Sequence, residues 1–288
     1  MKKVLEWIAI AGGGIVGIFL IIVAILYFNG KSKFSKVYNV TPRLTSVPLD
    51  ISLIERGKHL SIISGCQYCH GENFGGKVFL DIPPFRLIAS NLTSGQGGIG
   101  KTYQDGDWDK AIRFGIRPDG TLIFPVMPYK SYNRFGDSDA KALIAYVKNI
   151  PEVDNNLPST EMRAPIYIQA GLPNFDLSSY MVDPETSPQK SVKPGPTKEY
   201  GKYMAAILCA ECHGDNYLGG KHPDPEGPKA PSLKVISGWS MGGFAKAIRT
   251  GITPANRNLD SNWMPWEFFK NMTDEELQAL YIFFKELD

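Results

Sequence analysis

The chain opens with a long run of apolar residues that no charge interrupts. Residues 7–30 read WIAIAGGGIVGIFLIIVAILYFNG, and these 24 residues contain no charged side chain. About 20 apolar residues cross the hydrocarbon of a bilayer as a helix, so the run predicts a transmembrane anchor within residues 1–30. A removable signal peptide is the alternative, but the run is long for one, and the large residues at positions 25–28 offer no cleavage site.

The rest of the chain repeats itself. Residues 57–77 read GKHLSIISGCQYCHGENFGGK, and residues 201–221 read GKYMAAILCAECHGDNYLGGK. Further on, KAIRFGI at 110–116 matches KAIRTGI at 246–252. Similarity of this kind at corresponding positions indicates a duplicated domain.

Apolar spacing predicts that each unit is mainly α-helical. A first helix, at about 52–65 and 197–208, leads into the cysteine segment, and a final helix closes the unit. Gly57 and Gly201 would let the first helix approach the final helix closely. The final helices carry apolar stripes at positions i, i+3 and i+4, namely Leu143, Tyr146 and Val147, then Leu280, Phe283 and Phe284.

The connections complete the predicted organisation. Residues 31–51 are expected to form a tether, and residues 151–196, with eight prolines, a linker that wraps around the protein. Within that linker, residues 161–175 are apolar enough to pack on a domain. The predicted domains are therefore 52–150 and 197–288.

The four cysteines of the chain form two Cys-x-x-Cys pairs, and a histidine follows each pair directly: Cys66, Cys69 and His70, then Cys209, Cys212 and His213. This pattern attaches c-type haem, because the two thiols reach the vinyl groups while the adjacent imidazole lies under the iron. A thiol–disulfide redox pair, a zinc site and a structural disulfide are alternatives. None of them explains the repeated histidine, so the sequence predicts two covalently bound haems c.

The repeat also suggests a sixth ligand for each iron. Met127 and Met264 occupy equivalent positions, and a proline follows each of them. A thioether ligand stabilises reduced iron and raises the potential. The two remaining histidines, His59 and His222, are the alternative ligands.

Other repeated residues are candidates for the haem surroundings. Arg113 and Arg249 are equivalent, and we expect them either to pair with haem propionates or to lie on a solvated helix face. Four aromatic residues are predicted to wall the pockets or to fill the core: Trp108, Tyr129, Trp263 and Trp266.

Each unit resembles a class I cytochrome c domain, with CxxCH near its start, a Met-Pro loop and a closing helix. The run ASNLT at 89–93, followed by GIG, KAIRFGIRPDG and MPYKSY, also resembles the cytochrome c subunits of membrane-bound quinoprotein alcohol dehydrogenases. This resemblance implies two tandem class I cytochrome c domains behind one transmembrane helix. It also implies redox partners in or near the membrane: a dehydrogenase, a quinol-oxidising complex or a terminal oxidase.

Two irons that each carry histidine and methionine leave no position for a substrate, which predicts an electron carrier and not an enzyme. A dihaem peroxidase and a haem-based gas sensor remain alternatives. The formal charge of +2 gives no sign of a nucleic-acid partner. Because c-type haems are attached after export, we expect a bacterial inner-membrane protein with its N-terminus inside and its haem domains on the periplasmic face.

Overall fold

Helix α1 contains the predicted membrane segment and extends beyond it, from Lys2 to Phe34. In the part of the chain that the structure describes, α1 alone is long and apolar enough to cross a membrane. Its apolar side chains are exposed, Trp7 by 71% for example, whereas a core helix would bury them. The structure is a computed structural model, and it describes residues 2–177, 181–183, 190–222, 224 and 226–287.

The predicted tether is docked along the first unit. Residues 31–34 continue α1, and the following segment buries Val40, Leu44 and Val47. Asp109 accepts hydrogen bonds from the backbone N–H groups of Arg43 at 2.7 Å and Leu44 at 3.2 Å. Residues 31–51 therefore do not form a free spacer between α1 and the helices that follow.

The first unit has the predicted order of helices, with one addition. The addition is an antiparallel hairpin of strands β1 and β2 after the cysteine segment. The elements are α2 (Ile51–Ile63), α3 (Cys66–His70), β1 (Lys77–Ile82), β2 (Phe85–Ala89), α4 (Asp105–Phe114), α5 (Tyr129–Tyr132) and α6 (Asp137–Lys148).

The second unit repeats the helices without the hairpin among its described residues. A 3₁₀ helix over Leu233–Gly238 precedes the helix that carries the Lys-Ala-Ile-Arg run. The α-helices are α8 (Lys198–Leu208), α9 (Ala210–His213), α10 (Met241–Thr250), α11 (Trp266–Phe269) and α12 (Asp274–Lys285).

In both units the first helix packs directly on the final helix. A Cβ atom on Gly57 would lie 1.9 Å from the carbonyl oxygen of Ala142, and one on Gly201 would lie 2.0 Å from that of Ala279. Only glycine permits such contact between two backbones, so the predicted close approach is confirmed. A capping box of Thr273 and Glu276 starts α12.

The apolar part of the linker folds as two short elements. Strand β3 (Glu161–Met162) pairs with β2, and helix α7 (Ala164–Ala170) packs on α1. Of the segment 161–175, which was expected to pack on a domain, β3 therefore pairs with the first unit, whereas α7 packs on α1. Residues 178–180 and 184–189 of the predicted linker lie outside the described residues.

The two units meet across a pseudo-twofold interface. The repeat makes Arg56 equivalent to Tyr200, and the Arg56 guanidinium donates a hydrogen bond of 2.8 Å to the Tyr200 hydroxyl. It likewise makes His59 equivalent to Tyr203, and Asp139 equivalent to Glu276. His59 Nε2 lies 2.8 Å from a Glu276 oxygen, and the Tyr203 hydroxyl donates to Asp139 at 2.8 Å. Such reciprocal pairs are the signature of a twofold interface.

The interface also carries charge. Arg56 forms ion pairs with both acidic equivalents, at 3.0 Å to Asp139 and 3.2 Å to Glu276. The Glu276 side chain is only 4% exposed, and the buried apolar residues of both units form one continuous core. The two units therefore pack as a single body.

Candidate haem sites

Each cysteine motif forms a short helix that begins directly after a longer one. In the first unit Gly65 adopts a left-handed conformation, with φ of 73°, and starts α3. None of the four cysteines is joined to another in a disulfide. Among the described residues, no group of three metal-binding side chains is arranged to hold a metal ion. The two motifs thus occupy separate places, one in each unit.

Burial makes these thiols poor nucleophiles. It raises the pKa of Cys66 and Cys209 to about 12 each, and that of Cys212 to about 11. A redox pair of the thioredoxin type needs the opposite, a thiol whose pKa is lowered towards neutrality. The surroundings therefore do not favour thiol–disulfide chemistry.

Both motif histidines are held in the same way by a backbone carbonyl. Nδ1 of His70 lies 2.9 Å from the oxygen of Ser90, and Nδ1 of His213 lies 2.8 Å from that of Pro231. A carbonyl only accepts, so Nδ1 carries the proton and Nε2 keeps its lone pair for a metal. Burial also lowers the pKa of both imidazoles, although the carbonyl bond acts in the opposite sense.

The carbonyls of Ser90 and Pro231 were not among the residues predicted from the sequence, although the repeat contains a signal for them. Residues 89–92 read ASNL, and residues 230–233 read APSL. Leu92 N–H donates to Phe74 oxygen at 2.9 Å, and the equivalent bond from Leu233 to Tyr217 measures 2.8 Å. A comparison extended past the cysteine segments would have found these positions.

A large cavity in the first unit brings the predicted ligands together. Cys66, Cys69, His70 and Met127 all line it. The space that it encloses is about 1290 Å³ when the solvent at its open mouth is included. The wall is mostly apolar and comes from the β-hairpin, α4, the methionine loop and α6.

Two polar atoms in this wall suit the edge of a bound group. The indole Nε1 of Trp108 and the hydroxyl of Ser64 are buried, and neither has a hydrogen-bond partner among the described residues. Buried polar atoms of this kind are rare in folded proteins. They fit a haem, whose carboxylates and bound water offer acceptors.

The methionine loops have the same construction in both units. Met127 oxygen accepts from Tyr129 N–H at 2.8 Å, and Met264 oxygen accepts from Trp266 N–H at 2.7 Å. The proline after each methionine is the N-cap residue of a short helix, α5 in the first unit and α11 in the second. Met127 lines the cavity, and Met264 occupies the matching half-buried position in the core of the second unit.

Among the predicted pocket aromatics, Trp108 alone lines the cavity of the first unit. Tyr129 instead packs on Gly115, where a Cβ would lie 2.4 Å from its ring, and Trp266 packs in the same way on Gly251 at 2.5 Å. These two rings lock the Lys-Ala-Ile-Arg helix to the methionine loop. Trp263 makes an edge contact with the ring of His222.

Arg113 and Arg249 form ion pairs within the protein. The buried Arg113 side chain binds Asp109 and, at 2.6 Å, Asp137 at the start of α6. Arg249 is 37% exposed and binds Asp274 at 2.5 Å. Arg113 therefore does not lie on a solvated helix face; it ties α4 to the final helix. Arg117, which the sequence analysis did not consider, lines the cavity and bonds the oxygen of Leu122 at 2.6 Å.

The remaining histidines lie elsewhere. His59 is on α2, where its ring bonds Glu276 in the interface and does not line the cavity. His222 lies in the loop after the second cysteine segment and accepts a hydrogen bond from Asp224 N–H at 3.0 Å.

Comparison with known proteins gives a family match in both units. The model of the cytochrome c family matches residues 54–151 and 199–288. The chain is 32% identical to the fructose dehydrogenase cytochrome subunit of Gluconobacter japonicus over 69% of its length, and that alignment covers 45% of the relative.

Two further relatives have similar names. The chain is 28% identical to the gluconate 2-dehydrogenase cytochrome c subunit of Pantoea cypripedii, covering 70% of this chain and 48% of the relative. It is also 28% identical to the cytochrome c subunit of the quinone-dependent alcohol dehydrogenase of Gluconobacter oxydans, covering 68% and 45%. The chain thus spans just under half the length of these curated relatives.

Proposed function

Because the chain belongs to the cytochrome c family, which matches it in two regions, we propose that it relays electrons from a dehydrogenase at the membrane to a terminal acceptor. It is an electron-transfer protein with two covalently bound haems c. Each bound haem supplies an iron that alternates between ferric and ferrous states and so holds one electron.

The proposed attachment uses the two cysteine motifs. Cys66 and Cys69 would hold the haem of the first unit through thioether bonds, and Cys209 and Cys212 would hold that of the second. The carbonyl bonds of His70 and His213 support them as iron ligands, since a fixed Nδ1–H orients the ring and raises the basicity of Nε2. Met127 and Met264 would supply the second iron ligand of each site.

The observation that carries the proposal is the mutual contact of the two sites. The ring of Tyr68, inside the first cysteine motif, lies 5.6 Å from that of Phe268, four residues after Met264. At the equivalent place, the Ser131 hydroxyl, four residues after Met127, donates to Glu211 in the second motif at 2.8 Å. Each motif therefore touches the segment behind the other unit's methionine, and this supports direct electron exchange within the chain.

The dehydrogenase partner is inferred from the names of the relatives, which are cytochrome subunits of fructose, gluconate and alcohol dehydrogenases. A membrane anchor would raise the effective concentration of such partners. The exposed apolar surface of α1 supports that anchor. We place the haem units on the periplasmic face of the inner membrane, where c-type haems are attached.

Purification from the native membrane in mild detergent tests this function. A dehydrogenase subunit should co-migrate with the chain, and its substrate should reduce both haems. A co-purified dehydrogenase whose substrate leaves both haems ferric would contradict the proposal. Exposure of the reduced protein to carbon monoxide separates the alternatives, because a peroxidase or a gas sensor would bind the gas and a doubly ligated iron should resist it.

A further inference from the structure

The outer end of α1 is covered by a segment that belongs to neither cytochrome unit. This segment, here called the collar, comprises α7 and the turn after it, residues 164–175. Gly30 is the buried residue of α1, and a Cβ there would lie 1.8 Å from the oxygen of Tyr167. A Cβ on Gly171 would lie 1.9 Å from the oxygen of Leu26. The two helices therefore touch backbone to backbone, as small residues allow in membrane helix pairs.

The collar lies at the depth where the membrane ends. The 33 residues of α1 make a helix about 50 Å long, whereas the hydrocarbon is about 30 Å thick. The charge-free run starts at Trp7 and ends at Gly30, so the contacts at Leu26 and Gly30 fall at the outer boundary of the bilayer.

The chemistry of the collar is that of a membrane interface. The ring of Tyr167 packs on Tyr27 at 5.4 Å and on Phe34 at 5.8 Å, and aromatic residues are enriched at this depth. Lys33 Nζ donates to the oxygens of Leu172 at 3.1 Å and Phe175 at 2.7 Å. The Leu172 side chain is 41% exposed on the outside of the collar.

Two connections run from this place to the wall of the first cavity. Arg163, just before α7, bonds the oxygen of Ile82 at 2.7 Å and Asp81 at 2.8 Å in the β-hairpin. The backbone N–H of Tyr38, just after α1, donates to the oxygen of Gly120 at 2.9 Å. The hairpin and the loop that follows Gly120 both line the cavity.

We propose that the collar is a second membrane contact, which lies among the lipid headgroups and holds the first haem pocket at a fixed height and tilt. This inference rests on the proposed anchoring by α1. Continuity with α1, the aromatic residues and the exposed Leu172 favour lipid as the occupant. The hairpin and residues 120–127 are then held close to the membrane through these connections, which brings the first haem pocket within reach of partners at that surface.

Thiol accessibility tests the lipid contact. The full haem-loaded chain is placed in nanodiscs of phosphatidylcholine and phosphatidylglycerol, one chain per disc. Leu172→Cys is compared with Val235→Cys in the second unit, since Val235 is 50% exposed. Haem attachment occupies the native thiols, so each variant has one reactive cysteine. We expect a membrane-impermeant maleimide to label Leu172→Cys about tenfold more slowly, the factor that burial of a leucine-sized side chain supports.

Equal labelling rates would overturn the collar proposal. With one chain per disc, a second copy cannot provide the protection. A chain that does not remain with the discs would instead contradict the anchor, and thus the proposed function, whatever the labelling result.

Haem orientation tests the rigid attachment. Gly171→Leu places a side chain against the backbone of α1, whereas a Cβ at Gly14 meets nothing within 4 Å, so Gly14→Leu is the matched control. In oriented bilayers, the ferric haem EPR signals of wild type and control should vary with sample angle, and those of Gly171→Leu should lose that variation. Angular dependence that survives in Gly171→Leu with full haem content would refute the fixed tilt. If this variant fails to fold, the labelling comparison decides.

Discussion

The two cytochrome units share the parts that would hold haem and differ in the charged residues around them. Both have the carbonyl-bound histidine, the methionine followed by proline, and the glycine contact between first and final helices. In the first unit, however, Asp109 lies beside Arg113 and binds the segment after α1, whereas the equivalent residue of the second unit is Ala245.

This difference separates haem binding from membrane attachment. Asp109 adds no group to the cavity wall, but it anchors the backbone of Arg43 and Leu44 to α4. Asp105 does the same for Val47 at 2.7 Å. In the second unit Arg249 forms a more exposed ion pair with Asp274 and donates to the oxygen of Lys270 at 2.7 Å. The additions to the first unit therefore serve its position next to α1.

Substitution of the equivalent arginines Arg113 and Arg249 should show this contrast most strongly. Arg113 and Asp109 are both fully buried, and removal of one partner from a buried ion pair costs about 3–5 kcal/mol. Arg113→Met should lower the free energy of unfolding by that amount. Arg249→Met should cost less than about 1 kcal/mol, as for exposed pairs. Denaturant unfolding of the haem-loaded protein measures both, and equal losses would remove the distinction between the units.

Alanine substitutions at the two glycine contacts should lower the free energy of unfolding by similar amounts, because both units share these contacts. Gly57→Ala and Gly201→Ala each force a methyl group against a carbonyl oxygen of the final helix. We expect each to cost about 3 kcal/mol, the upper end for overpacking. Gly238→Ala, where a Cβ meets nothing within 4 Å, is the control. A tolerated alanine at either position would show that the two helices can separate.

The interface pairs should differ in their response to pH. Burial raises the pKa of Glu276, but the hydrogen bonds and charges of its partners His59, Thr273 and Arg56 together outweigh burial and lower this pKa below its ordinary value of 4.5. A lowered carboxyl pKa stabilises the folded state above the ordinary value, and that stability is lost as pH falls through the folded pKa.

His59→Gln removes the imidazole that bonds Glu276 and should cost about 1 kcal/mol. The acid-induced loss of stability should then begin at a higher pH, because Glu276 loses one of the partners that lower its pKa. Tyr203→Phe at the equivalent position removes a neutral donor to Asp139 and leaves the partners of Glu276 in place, so the acid onset that depends on Glu276 should stay as in wild type. Thermal unfolding between pH 3 and pH 7 measures both, and an unchanged onset in His59→Gln would contradict the assigned pairing.

The sequence predicted the elements whose signals are local or repeated. The apolar run predicted α1, and the matching segments predicted both units. Gly57 and Gly201 predicted the close contact between the first and final helices. The cavity gathers Cys66, Cys69, His70 and Met127, as the motif spacing indicated. These features depend on side chains close in sequence or equivalent in the repeat.

The contacts that the sequence did not predict join distant segments. Arg113 was considered for propionates, but its partners Asp109 and Asp137 depend on how α4 meets α6. The pairing of His59 with Glu276 depends on the packing of one unit against the other. The apolar segment that contains the collar was predicted to pack, but its contact with α1 was not, because that contact joins residues about 140 positions apart, as Lys33 and Phe175 show.

The most direct test of the central claim, two equivalent haem sites that each carry histidine and methionine, is the weak near-infrared absorption of ferric iron bound to methionine. Met127→Ala and Met264→Ala should each keep two covalent haems, since attachment needs only the cysteines, and each should lose about half of the band, because one of two thioether ligands is gone. The double variant should lose all of it, and Met162→Ala should keep the whole band. A full band in Met127→Ala or in Met264→Ala would contradict the account of that site.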